Sequence, residues 1–154
     1  WRIGYALSPA PVAKAMTNYL SHSTGAPGTM CQCAATEALS GPQDEAEQMR
    51  QVFEQRRDLI VRRINAMPGV SCRKPSGAFY VFVNLDQILG KQIDGQVIGS
   101  GDDFAKLLLE KSLVAVVPGS GFGAPNFVRL SYAISMENIE TGMDRLEAFL
   151  KQLQ

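Results

Sequence analysis

Residues 78–85 read Ala-Phe-Tyr-Val-Phe-Val-Asn-Leu, an apolar and aromatic run bounded by Ser76-Gly77 before it and Asp86 after it. Residue types of this kind in so short a run predict a strand, and near-continuous apolarity predicts burial on both of its faces. Toward the C-terminus the pattern changes period. Phe104, Leu107, Leu108 and Leu109 mark a helix starting near Asp102-Asp103, where carboxylates favour the positive helix end. Leu113–Val117 predicts a second buried strand, and Phe127–Ile134 a third. Ile139, Met143, Leu146, Leu150 and Leu153 then recur at three- and four-residue steps, a helix that would cover one face of the sheet. Strands alternating with amphipathic helices predict an α/β fold.

Toward the N-terminus, Pro68-Gly69 ends the longest predicted helix. Ala46, Met49, Phe53, Ile60, Ile64 and Met67 form its apolar stripe, and Pro42 can occupy its first position, where the missing N–H costs nothing. Before it, Thr29–Leu39 is Ala-rich and helix-prone. Ser21–Gly28 is a loop by composition, Pro9 to about Ser21 a helix, and Trp1–Leu7 a short strand ended by Ser8-Pro9. Composition shifts along the long helix from Ala/Thr/Ser-rich to Arg-rich. A domain boundary is therefore expected near Arg50, giving regions 1–50 and 51–154.

The chain has 154 residues, 45% hydrophobic and 19% charged, enough for a packed core and too apolar for a disordered segment. Fifteen basic residues balance fifteen acidic ones, so no net field favours nucleic acid or an anionic membrane. Seven of the basic residues fall in Arg50–Lys74. Phe53 alone among aromatic side chains falls between those arginines, too little for bases to stack on, and a solvated helix face with Arg50–Glu54 and Asp58–Arg62 pairs is expected instead. No apolar run approaches the ~20 residues of a membrane span. Three cysteines disfavour a disulfide scaffold and fit a reducing cytoplasm. The chain opens without Met or signal peptide, as a fragment of a longer protein would.

No complete catalytic set is present. His22 is the single histidine, in the predicted loop, and no nucleophile elbow accompanies it. Cys31 and Cys33 diverge by ~200° on a helix and lack a fourth partner, so no metal site is expected and burial among apolar side chains is. The run Pro118–Gly123 (PGSGFG) follows a strand but opens no helix, which fails the dinucleotide pattern. It reads equally as a flexible turn or as a loop closing over a ligand. Arg129 sits in the strand Phe127–Ile134 on the face opposite Val128, Leu130, Tyr132 and Ile134. An arginine there needs an anionic partner. On general grounds an internal carboxylate is favoured over a ligand carboxylate. Arg2, between Trp1 and Ile3, raises the same question, with phosphate as a candidate.

Five segments, in order, resemble one family. They are Trp1–Ala6 (WRIGYA), Ala34–Pro42 (AATEALSGP), Gly69–Phe82 (GVSCRKPSGAFYVF), Val114–Pro125 (VAVVPGSGFGAP) and Phe127–Asn138 (FVRLSYAISMEN). The chain is similar to the C-terminal part of fold-type I pyridoxal 5'-phosphate-dependent aminotransferases of class I/II, bacterial-type aspartate aminotransferases above all. The resemblance implies the end of a large domain, a long connecting helix and an α/β small domain. It implies Arg2 at the cofactor phosphate, Arg129 at the substrate α-carboxylate, and Gly77 and Phe79 in the segment lining the substrate entrance. Gly119–Gly123 matches a mobile stretch near the site, and Ser21–Gly28 a loop reaching toward the partner subunit of a cytoplasmic homodimer.

The lysine that holds the cofactor would lie upstream of Trp1, so no catalytic residue is expected in this chain, and Lys14 is no substitute. Where the family has Ser-Asn-Pro, this loop has Gly25-Ala26-Pro27, and Ser21-His22 stand where some branches place an arginine for the distal carboxylate. The implied activity is amino transfer from aspartate to 2-oxoglutarate. The alternatives are an aromatic amino acid or alanine as donor, or a non-enzymatic α/β module binding a carboxylate metabolite.

Overall fold

The computed structural model describes residues 2–154, which divide into two units, one ending at Glu47 and the other beginning at Gln48. In the first unit, residues 2–9 form neither helix nor strand. The strand expected over Trp1–Leu7 is absent from 2–7, because none of the described residues pairs with their backbone; Trp1 lies outside the described residues. Helix α1 (Ala10–Ser23) begins after Pro9, with Pro11 in a first turn that needs no N–H donor. It runs beyond the predicted end: the Ser21 and Ser23 hydroxyls donate to the carbonyls of Asn18 and Tyr19 at 2.8 and 3.0 Å. Ser21 and His22 are therefore helical, not in a loop. Helix α2 (Thr29–Ser40) follows Gly28. Up to Glu47 no described side chain is buried.

Helix α3 (Asp44–Ala66) starts later than Pro42. Gln43 accepts the first helical bond, from the Glu47 N–H at 3.0 Å, so Pro42 precedes the helix and does not open it. Asp44, Glu45 and Glu47 in the first turn complement the helix dipole. The expected stripe is buried only along its C-terminal half. Ile60, Ile64 and Met67 are in the core and Phe53 is half-buried, whereas Ala46 and Met49 are exposed. Arg50 pairs with Glu54 as expected, at 3.1 Å. Asp58 takes Arg57 and Lys74 instead of Arg62.

The second unit is built on a sheet of β1 (Ser71–Cys72), β2 (Tyr80–Asn84), β5 (Val117–Pro118) and β6 (Phe127–Ser131), in the order β1-β2-β6-β5 and antiparallel throughout. Val81 faces Leu130 and Val83 faces Val128, and all four side chains are buried. They meet Ile60 and Ile64 of α3, Phe104 and Leu108 of α4 (Gly101–Ser112), and Ile139, Met143, Leu146 and Phe149 of α5 (Met136–Leu150) in one core. The other face of β2 departs from expectation: Tyr80, Phe82 and Asn84 are only half-buried. An antiparallel strand presents alternate residues to its two faces, and here the helices cover one of them.

Leu113–Val117 is not a buried strand. Leu113 ends α4 in the left-handed conformation with 73% of its surface exposed, and pairing is confined to Val117–Pro118. Ile134, beyond the end of β6, is also exposed, and Leu153 follows α5 with partial burial. Side-chain caps set the starts of α4 and α5. Ser100 and Ser135 side chains accept from the Asp103 and Asn138 N–H groups at the two helix starts. A small hairpin joins β3 (Gln92–Ile93) to β4 (Gln96–Val97) through Asp94-Gly95, both at positive φ, the dipeptide a tight hairpin turn requires.

Candidate functional site

Register and alternation together place Arg129. It lies opposite Phe82 across the β2–β6 ladder, on the half-covered face that also carries Tyr80. Its guanidinium carbon is 4.3 Å from the centre of the Tyr80 ring. It is also 4.6 Å from the centre of the Phe122 ring. Phe122 belongs to a single 3-10 turn, Ser120–Phe122, between β5 and β6. Gly123 leaves that turn at φ +74, and a Cβ on Gly119 would meet the Ala124 carbonyl oxygen at 2.2 Å. The glycines thus permit a backbone reversal tight enough to bring Phe122 back over the strand. Phe122 also meets Phe82 edge-on at 6.2 Å, and Phe82 stacks on Phe127 at 5.0 Å.

The Arg129 side chain makes no ion pair and no hydrogen bond among the described residues, and its Nε is buried without a partner. The internal carboxylate favoured on general grounds is therefore missing. Aromatic faces attract a guanidinium through their quadrupoles but leave its in-plane N–H groups unused. A cleft of about 280 Å³ lined by Tyr80, Val81, Phe82, Phe122 and Arg129 adjoins it. Such a site is apolar around one cation with hydrogen bonds still to give. Its chemistry suits a planar anion, and a carboxylate fits a guanidinium edge with two parallel bonds.

Arg57 of α3 shows the opposite case. It donates to Glu54 at 3.0 Å and to Asp58 at 2.8 Å, and Lys74 adds a 2.9 Å contact to Asp58. Hydrogen bonds from Arg50 and Arg57 hold the Glu54 carboxyl below its ordinary range, and those from Arg57 and Lys74 do the same for Asp58. These cations are neutralised within the chain.

Between the two lies the segment carrying Gly77 and Phe79. Gly77 lines a cleft of about 150 Å³ with Phe53, Arg57 and Tyr132. Ala78 is held at φ +60, a left-handed conformation that disfavours a Cβ. Tyr132 secures this bend twice: its phenol donates to the Ala78 carbonyl and its N–H to the Phe79 carbonyl, each at 2.9 Å. The Phe79 ring then packs on Tyr80 at 4.5 Å, and the Tyr80 ring lies against the Arg129 guanidinium. The structure thus links Phe79 and Arg129 through Tyr80.

Arg2 belongs to the N-terminal unit. It is exposed and, with Ile3 and Gly4, lines an open concavity of about 460 Å³. A solvent-facing guanidinium is a donor that suits a phosphate. The cysteines correct one expectation: Cys31 is half-buried and Cys33 exposed, since α2 buries no side chain. Among the described residues no cluster of metal-ligating side chains occurs and no helix is long and apolar enough to cross a membrane. Sequence reading missed Tyr80 and Phe122. The signal for Tyr80 was its even spacing from Phe82; Phe122 was the one aromatic residue among the glycines of the 118–123 run.

An aspartate aminotransferase of Geobacillus stearothermophilus is 48% identical over 151 residues, which is 98% of this chain and 37% of that protein. The crystal structure of the Rhizobium meliloti aspartate aminotransferase superposes with a TM-score of 0.87 at 41% identity, over 95% of this chain and 37% of that one. The Thermus thermophilus aspartate aminotransferase solved with maleate gives a TM-score of 0.82 at 39% identity, over 96% and 37%. The chain thus spans little more than a third of the length of these relatives. The family model for aminotransferase class I and II matches residues 1–146, and with these likenesses it shows that the chain belongs to that family.

Proposed function

We propose that this chain forms the C-terminal part of a pyridoxal 5'-phosphate-dependent aminotransferase that moves an amino group from aspartate, or a similar amino acid, to 2-oxoglutarate. The observation that carries this reading is the Arg129 guanidinium, set against the Tyr80 and Phe122 rings with a buried Nε that no described residue satisfies. Substrates of this reaction, amino and oxo acids alike, carry a carboxylate. Maleate, present in the Thermus relative, is a dicarboxylate, which favours a dicarboxylic substrate here.

Pyridoxal phosphate, when bound, supplies the electron sink that lets a Cα–H bond of the substrate break. Arg2 holds the phosphate, where a fixed cation keeps the cofactor in place. Arg129 holds the α-carboxylate edge to edge, which fixes the orientation of the Cα substituents. Phe79 and Gly77 border the route by which substrate enters. The proton-transferring lysine belongs to the part of the enzyme upstream of Trp1. Residues 1–50 are the end of a large cofactor-binding domain and 51–154 the small domain of a cytoplasmic homodimer.

The test uses the whole enzyme. Arg129→Ala raises KM for the amino donor about 100-fold or more, while cofactor retention, read from its absorbance, stays unchanged. Arg2→Ala does the reverse, weakening cofactor retention first. Equal loss of both properties in both variants overturns the assignment.

A further inference from the structure

Phe122 is 54% exposed, on a turn whose other side chains are small. Keeping an aromatic ring half in water runs against its transfer free energy. The turn nevertheless holds it firmly. Gly119 is crowded against the Ala124 carbonyl, as described above, and the Ser120 hydroxyl donates to Asp102 Oδ1 at 3.0 Å, pinning the turn to the start of α4. Gly121, by contrast, has open space around it. The Phe122 ring is thereby held against the guanidinium, which the Tyr80 ring also meets. The buried Nε has no partner among the described residues, and the guanidinium's hydrogen bonds remain to be given to a ligand.

We infer that Phe122 is a positioning residue for the carboxylate: with Tyr80 it holds the Arg129 guanidinium in place, and its π face determines how tightly a carboxylate is held. This rests on the proposal that Arg129 binds the substrate carboxylate. The alternative is that Phe122 merely packs against Phe82, in which case any apolar side chain of similar volume serves equally well.

The distinction is tested in the whole enzyme loaded with its cofactor, using calorimetric binding of maleate as the readout. Phe122→Leu and Phe122→Met remove the π face and keep the bulk; Phe122→Tyr keeps both. Leu and Met weaken maleate binding about 3- to 10-fold, Tyr stays within about twofold of the parent, and cofactor content is unchanged in all three. Either Leu or Met is sufficient should the other fail to fold. Parent-like affinity in a folded Leu or Met variant, or equal weakening by Tyr, overturns the inference. Arg129→Ala is measured alongside. Loss of maleate binding there with parent-like Phe122→Leu rejects the role of Phe122 alone; retained binding in Arg129→Ala rejects the reading beneath it as well.

Discussion

Arg57 and Arg129 are the same residue type with opposite fates. Arg57 is charge-compensated by Glu54 and Asp58 within one turn of its own helix, so its position answers to stability. Arg129 has aromatic faces and, among the described residues, no carboxylate; the proposed function gives it the substrate's. Tyr132, next but two along the same strand direction, is the structural counterpart. It faces the core and spends its hydroxyl on the strained bend at Ala78. Two consequences are measurable by urea unfolding. Tyr132→Phe leaves the Ala78 carbonyl without its donor and lowers stability by about 1 kcal/mol. Ala78→Gly relieves the left-handed Cβ and raises stability by about 0.5–1 kcal/mol, so the double variant lies near the parent. If Ala78→Gly destabilises instead, the bend depends on the Cβ and not on Tyr132.

At the scale of elements, α3 is held down on one side by Leu59, Ile60 and Ile64 and fringed by the Glu54–Arg57–Asp58–Lys74 pairs. Both carboxyls have folded-state pKa values below their ordinary ones, first through hydrogen bonds from Arg50 to Glu54 and from Arg57 to Asp58. A depressed folded-state pKa means that the contribution is fully present above the unfolded-state value, roughly 4, and is lost as pH falls through the lower folded-state value. Asp58→Asn therefore lowers the unfolding midpoint at pH 7 slightly, and its difference from the parent shrinks below pH 4; a difference that is constant with pH excludes the ion pairs as its cause. The helices were legible because period and stop signals agreed: Pro68-Gly69 ends α3 and the three- and four-residue steps from Ile139 to Leu150 are all buried. The strands were less so. Tyr80–Val83 is apolar and aromatic, and that composition does not say that Tyr80 lies against a cation while Val81 and Val83 fill the core. Leu113–Val117 misled for a related reason: its apolar residues follow a left-handed helix end that turns Leu113 outward. Arg129 stood out in the sequence as a charge within an apolar run. Its unpaired state did not, because the absence of a carboxylate is a fact of three-dimensional neighbours.

The whole chain distributes its apolar burial unevenly, and that unevenness has a dynamic consequence. Every buried side chain among the described residues lies at or beyond Leu59, within the unit that begins at Gln48. Helices α1 and α2 have 14 and 12 residues and bury none. Helices of that length are marginal in water unless an apolar face is packed, since each must overcome a costly nucleus for few hydrogen bonds. The sheet, α4, α5 and the C-terminal half of α3 open only with the core they share. Amide hydrogen exchange on this chain should therefore be fast over residues 10–40 and slow over 59–64, 80–84, 104–108, 127–131 and 139–150. Within α3 it should grade from fast near Asp44 to protected at Ile64, with no break in helicity to mark the change. Uniform protection from Ala10 to Leu150 would mean that α1 and α2 draw stability from packing that their exposed side chains do not display, and the link between local burial and local opening would fail for this molecule.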